Sequence, residues 1–252
     1  MSLASFIIRG RNEADNLQTL FPMLAVQTER DYELIYIDNE SDDDSIMIAK
    51  KHGAQVISIA KDDFSYPKAL NIGVQAARGT HIVILSAHSF PLWNGWLSSG
   101  LRHFNDTNIA GVYGPTCAYK NSPLIEKIDK FPGFFEWTCR KIFSPKIVRK
   151  IPSRSLMGVL GFTNAIIPKS LWDIHHFDET YGNGGEDGEW VRHFAARGYY
   201  FIKDPAFAVR HAHHIKTPVM LSTQYRHWSS MTSPKEFTRT DLSFRKDYDR
   251  YK

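Results

Sequence analysis

The chain has 252 residues, 42% of them hydrophobic and 23% charged, with a net charge of +4 and a pI near 8.9. Those values fit a globular protein with a large core, and mild basicity suits anionic ligands or a lipid surface while being too weak for nucleic-acid binding. No apolar run reaches the roughly 18 residues of a membrane-spanning helix, and Cys117 and Cys139 show neither disulfide-scaffold nor metal spacing, so they read as core or surface thiols.

The chain passes almost directly into Ser5-Phe-Ile-Ile8, without the basic and apolar regions of a signal peptide, which predicts a cytoplasmic protein. Phe6 to Ile8 read as a strand. Leu17, Leu20, Phe21 and Leu24 recur at a helical period, with Pro22 expected to kink that helix. Glu33 to Ile37 form a second strand ending at Asp38. Ser41 and the acids Asp42 to Asp44 predict the start of a helix that runs to about His52 and stops at Gly53. Val56 to Ile59 give a third strand, Lys68 to Arg78 a helix closed by Gly79, and His81 to Ser86 a fourth strand. A helix over Trp93 to Phe104 and a strand over Ala110 to Tyr113 follow. This alternation predicts an α/β protein with a mostly parallel sheet covered on both faces.

From about Pro115 to Arg154 the alternation fails, and aromatics such as Phe131, Phe134 and Trp137 mix with bases such as Lys127, Arg140 and Arg154. Two readings stand: a solvated surface with snorkelling bases, or a flap that meets a membrane surface or an anionic acceptor. Phe162 to Pro168 then read as a strand. Asp187 to Arg197 read as a helix with Trp190, Val191, Phe194 and Ala195 inward and Gly198 as its stop. Strands near Tyr199 to Ile202 and Ala206 to Val209, a helix from Pro218 to Met231 and a charged tail complete the chain.

Four places carry chemistry. Open α/β sheets bind ligands beyond the carboxyl ends of their strands, and the fourth strand ends there in Ser86-Ala-His88. Glu186 and Asp187 follow adjacent glycines at a helix N-terminus, which favours ionised carboxylates, so Asp187 is either a candidate general base or a simple cap. His211 and His213 share one side of a strand end and are either metal ligands or surface histidines. Gln224 and Trp228 share a face of the last helix, for an acceptor or for docking alone. Arg9-Gly-Arg-Asn-Glu13 holds one glycine where a dinucleotide-binding turn needs three, and no P-loop is present.

Taken together, these elements resemble the family 2 glycosyltransferases, inverting enzymes of GT-A fold, over roughly residues 4 to 230. Ser5 to Glu13 are similar to that family's first strand and Asn-Glu turn, and Tyr36 to Asp42 to its second strand. Ala69-Leu-Asn-Ile-Gly73 matches the helix before its metal-site strand. Ser86-Ala-His88 falls at the Asp-x-Asp motif, and Phe177-Asp-Glu179 with Glu186, Asp187 and Trp190 at the acceptor-side segment. Within the family, the opening turn and the Ser-Ala-His strand end are similar to bacterial enzymes of polysaccharide and O-antigen assembly, including rhamnosyltransferase-like members.

The resemblance implies one GT-A domain over 1–252. A Rossmann-like nucleotide-sugar half covers 1–114, an acceptor half 115–231 and a tail 232–252. Arg9, Arg11, Glu13, Asp38, Lys68, Ser86 and His88 would contact the donor, with Asp38 on its base and Lys68 near its phosphates. His88, His211 and His213 would hold Mn2+ or Mg2+, although both acids of Asp-x-Asp are replaced. Asp187 would be the general base and Glu186 its positioning partner. Asn164, Trp190, Gln224 and Trp228 would lie on the acceptor side. The last helix differs from the Q-x-x-R-W signature of processive members, since His227 stands at the Arg position.

The implied reaction moves a sugar, with inversion, from a nucleotide-diphosphate sugar to a saccharide or lipid-linked saccharide. The setting would be cell-surface polysaccharide synthesis at the inner face of the membrane, with peripheral membrane contact and no nucleic acid. The missing acids leave a non-catalytic nucleotide-sugar binding protein as an alternative. A nucleotidyltransferase on a similar sheet is a second, although Arg9 to Asn16 lack its Gly-rich loop.

Overall fold

The computed structural model describes residues 4–148, 159–182 and 184–232, and for 227–232 the backbone alone. In chain order, β1 (Ala4–Gly10), α1 (Ala14–Ala25), β2 (Tyr32–Asp38), α2 (Ser45–Lys51), β3 (Gln55–Ser58), α3 (Tyr66–Ala76) and β4 (His81–Ser86) alternate. Next come β5 (Phe90–Pro91), α4 (Trp96–Leu101), β6 (Ile109–Tyr113), β7 (Thr116–Cys117), α5 (Leu124–Asp129), α6 (Phe131–Thr138) and β8 (Lys146–Val148). The chain continues through β9 (Asn164–Pro168), α7 (Lys169–Trp172), α8 (Glu186–Ala195), β10 (Tyr200–Lys203), β11 (Val209–Arg210) and α9 (Pro218–Thr232).

Eight strands form one sheet in the order β3-β2-β1-β4-β9-β6-β10-β8. The first four are mutually parallel, and β6 is parallel to β10. β9 runs antiparallel between β4 and β6, and β8 is antiparallel to β10. Successive residues of β1 face opposite cores, as the pleat requires. Phe6 and Ile8 pack with Leu17, Leu20, Phe21, Leu24 and Trp96, while Ile7 packs with Leu70, Val74, Trp190 and Phe194. Each fully buried side chain of this size contributes roughly 1.5–3 kcal/mol.

Several boundaries differ from the sequence expectation for local reasons. Helix α1 passes through Pro22 as a single element. The expected start of α2 is met by Asp43, whose Oδ1 accepts from the Ser45 amide at 3.0 Å. The same segment also serves α1: Ser41, Ser45 and Asp43 accept hydrogen bonds from the amides of Asn12, Glu13 and Ala14, and so satisfy its start. Helix α3 begins two residues early because Ser65 caps it, accepting from the Lys68 amide at 3.3 Å. The segment Trp93 to Phe104 is divided into α4 and a 3-10 turn over Arg102–Asn105. Of the expected strand at 206–209 only Val209 pairs, together with Arg210 beyond it, because the Ala206 and Phe207 amides turn back onto Asp204.

A second sheet of three two-residue strands, β5-β11-β7, lies at the carboxyl edge of the large one. In it Pro91 is itself part of β5, opposite Val209. This small sheet sets the position of the site.

Candidate active site

The strand order 3-2-1-4 places neighbouring strands β1 and β4 at the centre, with the chain leaving β1 towards one side and β4 towards the other. Such a reversal opens a crevice beyond the strand ends. Gly10 is in register with Asp38, and Arg9 with Ser86, so three strand ends reach the crevice side by side. Gly10 is held to a minimal side chain, because a Cβ there would come within 2.8 Å of Glu13 Cγ and 3.1 Å of the Tyr36 hydroxyl.

His88 follows β4 directly and His211 follows β11 directly. Antiparallel pairing of Phe90 with Arg210 therefore carries the two imidazoles together. Their rings stack with centroids 4.8 Å apart, and His213 meets His88 edge-on at 5.9 Å. One ring nitrogen from each of His88, His211 and His213 can be chosen so that all lie within 4.8 Å of one another. Glu13 Oε1 lies 3.0 Å from His88 Nδ1, and Ser89 Oγ lies 3.0 Å from His211 Nδ1. A carboxylate can only accept, so Nδ1 of His88 donates and Nε2 is the atom left to face a ligand.

His211 is only 4% exposed. Burial, then the neighbouring His88 and His213, holds it well below the usual imidazole range, and burial followed by His88 lowers His213 too. Neutral imidazoles are the form that binds metal. Three nitrogens with a carboxylate behind one of them fit a divalent cation, though with less charge than an Asp-x-Asp pair supplies.

The carboxylates enter from the other side. Gly184 and Gly185 adopt φ of 125° and 109°, a left-handed region open to glycine, and turn the chain into α8. Glu186 is 3% exposed and its Oε2 has no partner among the described residues. Burial first, then the charge of Asp187, pushes Glu186 up to about 7, while Arg9 opposes the shift. Asp187 is partly buried, and burial raises it against the amides of Gly188 and Phe162 and the charge of Arg9. The Gly188 amide lies 2.7 Å from Asp187 Oδ1. Arg9 bonds the Phe162 carbonyl at 3.5 Å and lies 5.0 Å above the Tyr66 ring. Its charge also bears on His211, so a single guanidinium acts electrostatically on both carboxylates and on the histidine cluster.

The other expected residues are spread around this centre. Arg11 pairs with Asp42 at 3.8 Å on the surface, and Lys68 with Asp63 at 3.2 Å. Asp38 is fully buried; its Oδ2 accepts from the Ser41 amide, and its Oδ1 has no partner among the described residues. Ser86 is buried at the crevice floor. Asn164 is also buried and donates to the Phe207 carbonyl at 2.6 Å. Trp190 is a correction to the acceptor-side set: it is 0% exposed, bonds the Ala110 carbonyl and belongs to the core, so it offers no surface to an acceptor. Gln224 is half-buried on α9, and the Trp228 side chain lies outside the described residues.

Three contributors were not singled out from sequence. Tyr119 donates its hydroxyl to the His88 carbonyl, and Glu126, buried on α5, accepts from the His213 amide at 2.6 Å. Both come from the stretch that reads as surface or flap, which instead also walls the histidine cluster. Ser89 had one available signal, its place beside His88 at a strand end. Cys117 is buried and Cys139 half-buried, both free, and burial pushes the Cys117 thiol up to about 11.

Residues 5–169 match the sequence profile of glycosyl transferase family 2. No curated protein matches the chain. Among solved structures, a mannosyltransferase from Pyrobaculum calidifontis in complex with GDP-Man and Mn2+ superposes with a TM-score of 0.62 at 14% identity, covering 90% of this chain and 61% of that one. TarS 1-349 of S. aureus gives 0.64 at 13% identity, covering 98% and 70%. Glucosyl-3-phosphoglycerate synthase from Mycobacterium tuberculosis, in complex with Mn2+, UDP and glucosyl-3-phosphoglycerate, gives 0.59 at 14%, covering 91% and 78%. This chain thus spans less than two thirds of the mannosyltransferase. At such identities the likeness speaks for a shared mixed α/β GT-A fold.

Proposed function

The chain belongs to glycosyltransferase family 2, and from that premise we propose that it moves a sugar, with inversion, from a nucleotide-diphosphate sugar to a hydroxyl of a saccharide or lipid-linked saccharide. The observation that carries this reading is the place of Arg9, in register with Ser86 at the ends of parallel strands, where its charge acts on both the Glu186–Asp187 pair and the histidine cluster. A donor diphosphate is anionic, and Arg9 offers it a cation beside the Tyr66 face.

Asp187 is the general base in this proposal. Its carboxylate accepts from the Gly188 amide at 2.7 Å and stays partly accessible, while Glu186 is almost wholly enclosed. One Arg9 charge balances one carboxylate, so Asp187 ionises first and Glu186 holds its proton beside it. Asp187 takes the acceptor proton as the hydroxyl attacks the anomeric carbon, and the nucleoside diphosphate leaves from the opposite face. His88, His211 and His213 would hold a divalent cation, Mn2+ rather than oxygen-preferring Mg2+, which would offset charge on a leaving diphosphate when bound. Glu13 orients His88; Arg11, Asp38, Lys68 and Ser86 complete the donor side. Gln224 and Trp228 belong to the acceptor side; Asn164, 2% exposed and bonded to the Phe207 carbonyl, would support it indirectly.

A cytoplasmic setting at the inner membrane face, in rhamnosyltransferase-like cell-surface polysaccharide synthesis, belongs to the same proposal. Leu124, Ile128, Phe131, Phe134 and Phe135 are exposed on α5 and α6 beside Lys127, which supports a peripheral contact with an anionic leaflet. No helix among the described residues is long and apolar enough to cross a membrane.

The deciding experiment measures nucleotide release from UDP-, dTDP- and GDP-sugars with acceptor extracts, with and without Mn2+. Transfer by the native chain and its loss in Asp187→Asn support the reading. Donor binding without turnover for any acceptor supports a non-catalytic binding protein instead. Full activity in Asp187→Asn removes that residue as the base.

A further inference from the structure

The helix that carries Glu186 and Asp187 brings a second donor set together one turn further on. Glu189 and His193 are four residues apart on α8 and share a face. His175, in the loop after α7, reaches the same face, and its Nε2 lies 2.9 Å from both oxygens of Glu189. The His175 and His193 rings lie within 11° of parallel with centroids 3.5 Å apart, so one ring must turn out of this stack for both in-plane lone pairs to converge on one ion. One ligand atom from each of the three residues lies within 4.8 Å of the other two. All three are partly buried, and Trp190 and Phe194 pack beside the imidazoles. The cluster shares no residue with His88, His211 and His213.

A His175–Glu189 ion pair would account for two of these residues and leave the third unexplained. Among the described residues, no hydrogen bond reaches the ring nitrogens of His193, although its carbonyl accepts from Arg197 at 2.7 Å. Two neutral nitrogens and one carboxylate form a borderline donor set. It suits Zn2+ better than Mn2+ or Mg2+, which rank lower for such ligands or prefer oxygen.

We propose that His175, Glu189 and His193 form a structural site for a divalent transition ion of the Zn2+ class. The ion replaces the proton shared by His175 and Glu189, with solvent as a fourth ligand. It clips the loop after α7 to α8 and so steadies the helix whose first turn holds Glu186 and Asp187. Its role is to position that helix; it does not touch the reacting groups. Arg197 opposes the added charge, so affinity falls below that of a closed four-ligand site.

The test uses the full chain with His88→Ala and His213→Ala, which disables the other histidine cluster. Zn2+ and Co2+ are titrated by calorimetry and visible absorption, with thermal unfolding followed in parallel. The expected result is about one bound equivalent, a Co2+ ligand-field band and a higher Tm with Zn2+. Adding Glu189→Gln or His193→Ala should weaken binding by at least the roughly 10–100-fold that losing a supporting partner costs, and should abolish the band. If His193→Ala fails to fold, near-isosteric Glu189→Gln decides. Unchanged affinity in Glu189→Gln, or no Zn2+ binding by a folded parent, overturns the proposal. Neither result depends on glycosyl transfer.

Discussion

Glu13 Oε1 and His88 Nδ1 meet at 3.0 Å across 75 positions of sequence. The Asn-Glu turn after β1 thereby selects the tautomer of an imidazole at the end of β4. It also brings a negative charge behind a ligand that is itself neutral, partly offsetting the acids missing at 86 and 88. Glu13→Gln removes that charge and should weaken Mn2+ binding, measured by calorimetry with UDP present, by roughly 10–100-fold. An unchanged affinity would mean that His88 does not ligate through Nε2.

Asp187→Asn keeps the shape of the side chain and removes its basicity. Nucleotide release should fall by roughly 10²–10⁴-fold, the usual contribution of a general base. Donor affinity, read by fluorescence or calorimetry, should move little. A parallel loss of donor binding would instead identify Asp187 as a donor ligand.

Glu186 is raised from 4.5 to about 7 by its burial and by Asp187. A carboxyl group raised in the folded state favours folding while protonated. Its contribution is therefore lost as pH climbs from the unfolded value of 4.5 through 7. Glu186→Gln removes this dependence. The variant should be more stable than the parent by roughly 1–3 kcal/mol at about pH 8, and the two should converge near about pH 4. Urea melts across that range measure the difference, and parallel curves for the two proteins would rule out a buried, protonated Glu186.

Asp204 behaves oppositely. Burial resists its ionisation, but bonds from His103 at 2.7 Å, the Ala206 amide at 2.8 Å and Arg102 at 2.7 Å outweigh it and lower its pKa below 3.8. Its stabilisation is present above 3.8 and disappears as pH falls through the folded value. Asp204→Ala strips a buried anion from its partners and should cost roughly 1–3 kcal/mol at neutral pH, since the Arg102 left behind is largely solvated. Chemical denaturation checks this, and a loss below about 1 kcal/mol would show that the turn at 204–207 holds without it.

The alternating half was legible because its signals are local. The periodicity of Leu17, Leu20, Phe21 and Leu24 names the buried face of α1, and the apolar run Ile82 to Leu85 names a strand covered on both sides. What was not legible depends on partners distant in sequence. Ser41 looks like a cap of its own helix but accepts from the Asn12 amide, and Asp43, which does serve the start of its own helix, also serves Ala14 of another. Trp190, placed near acidic neighbours, reads as an acceptor contact until the Ala110 carbonyl is seen beneath its indole. Tyr119 and Glu126 sit in a stretch with no period, and only the fold brings them under His88 and His213.

The small sheet β5-β11-β7 has a consequence for the order of events when the chain folds. Ser89 and His211 are 122 positions apart, and they meet only when two-residue strands dock on one another. Such pairing closes a very long loop for little local reward, so it belongs late in folding. A nascent chain can assemble β1 to β4 as soon as those strands emerge, yet it has no complete histidine cluster until residue 213 is available. Ion affinity at His88 therefore reports on completion of the fold, and it would be absent from any early intermediate that already holds the nucleotide half.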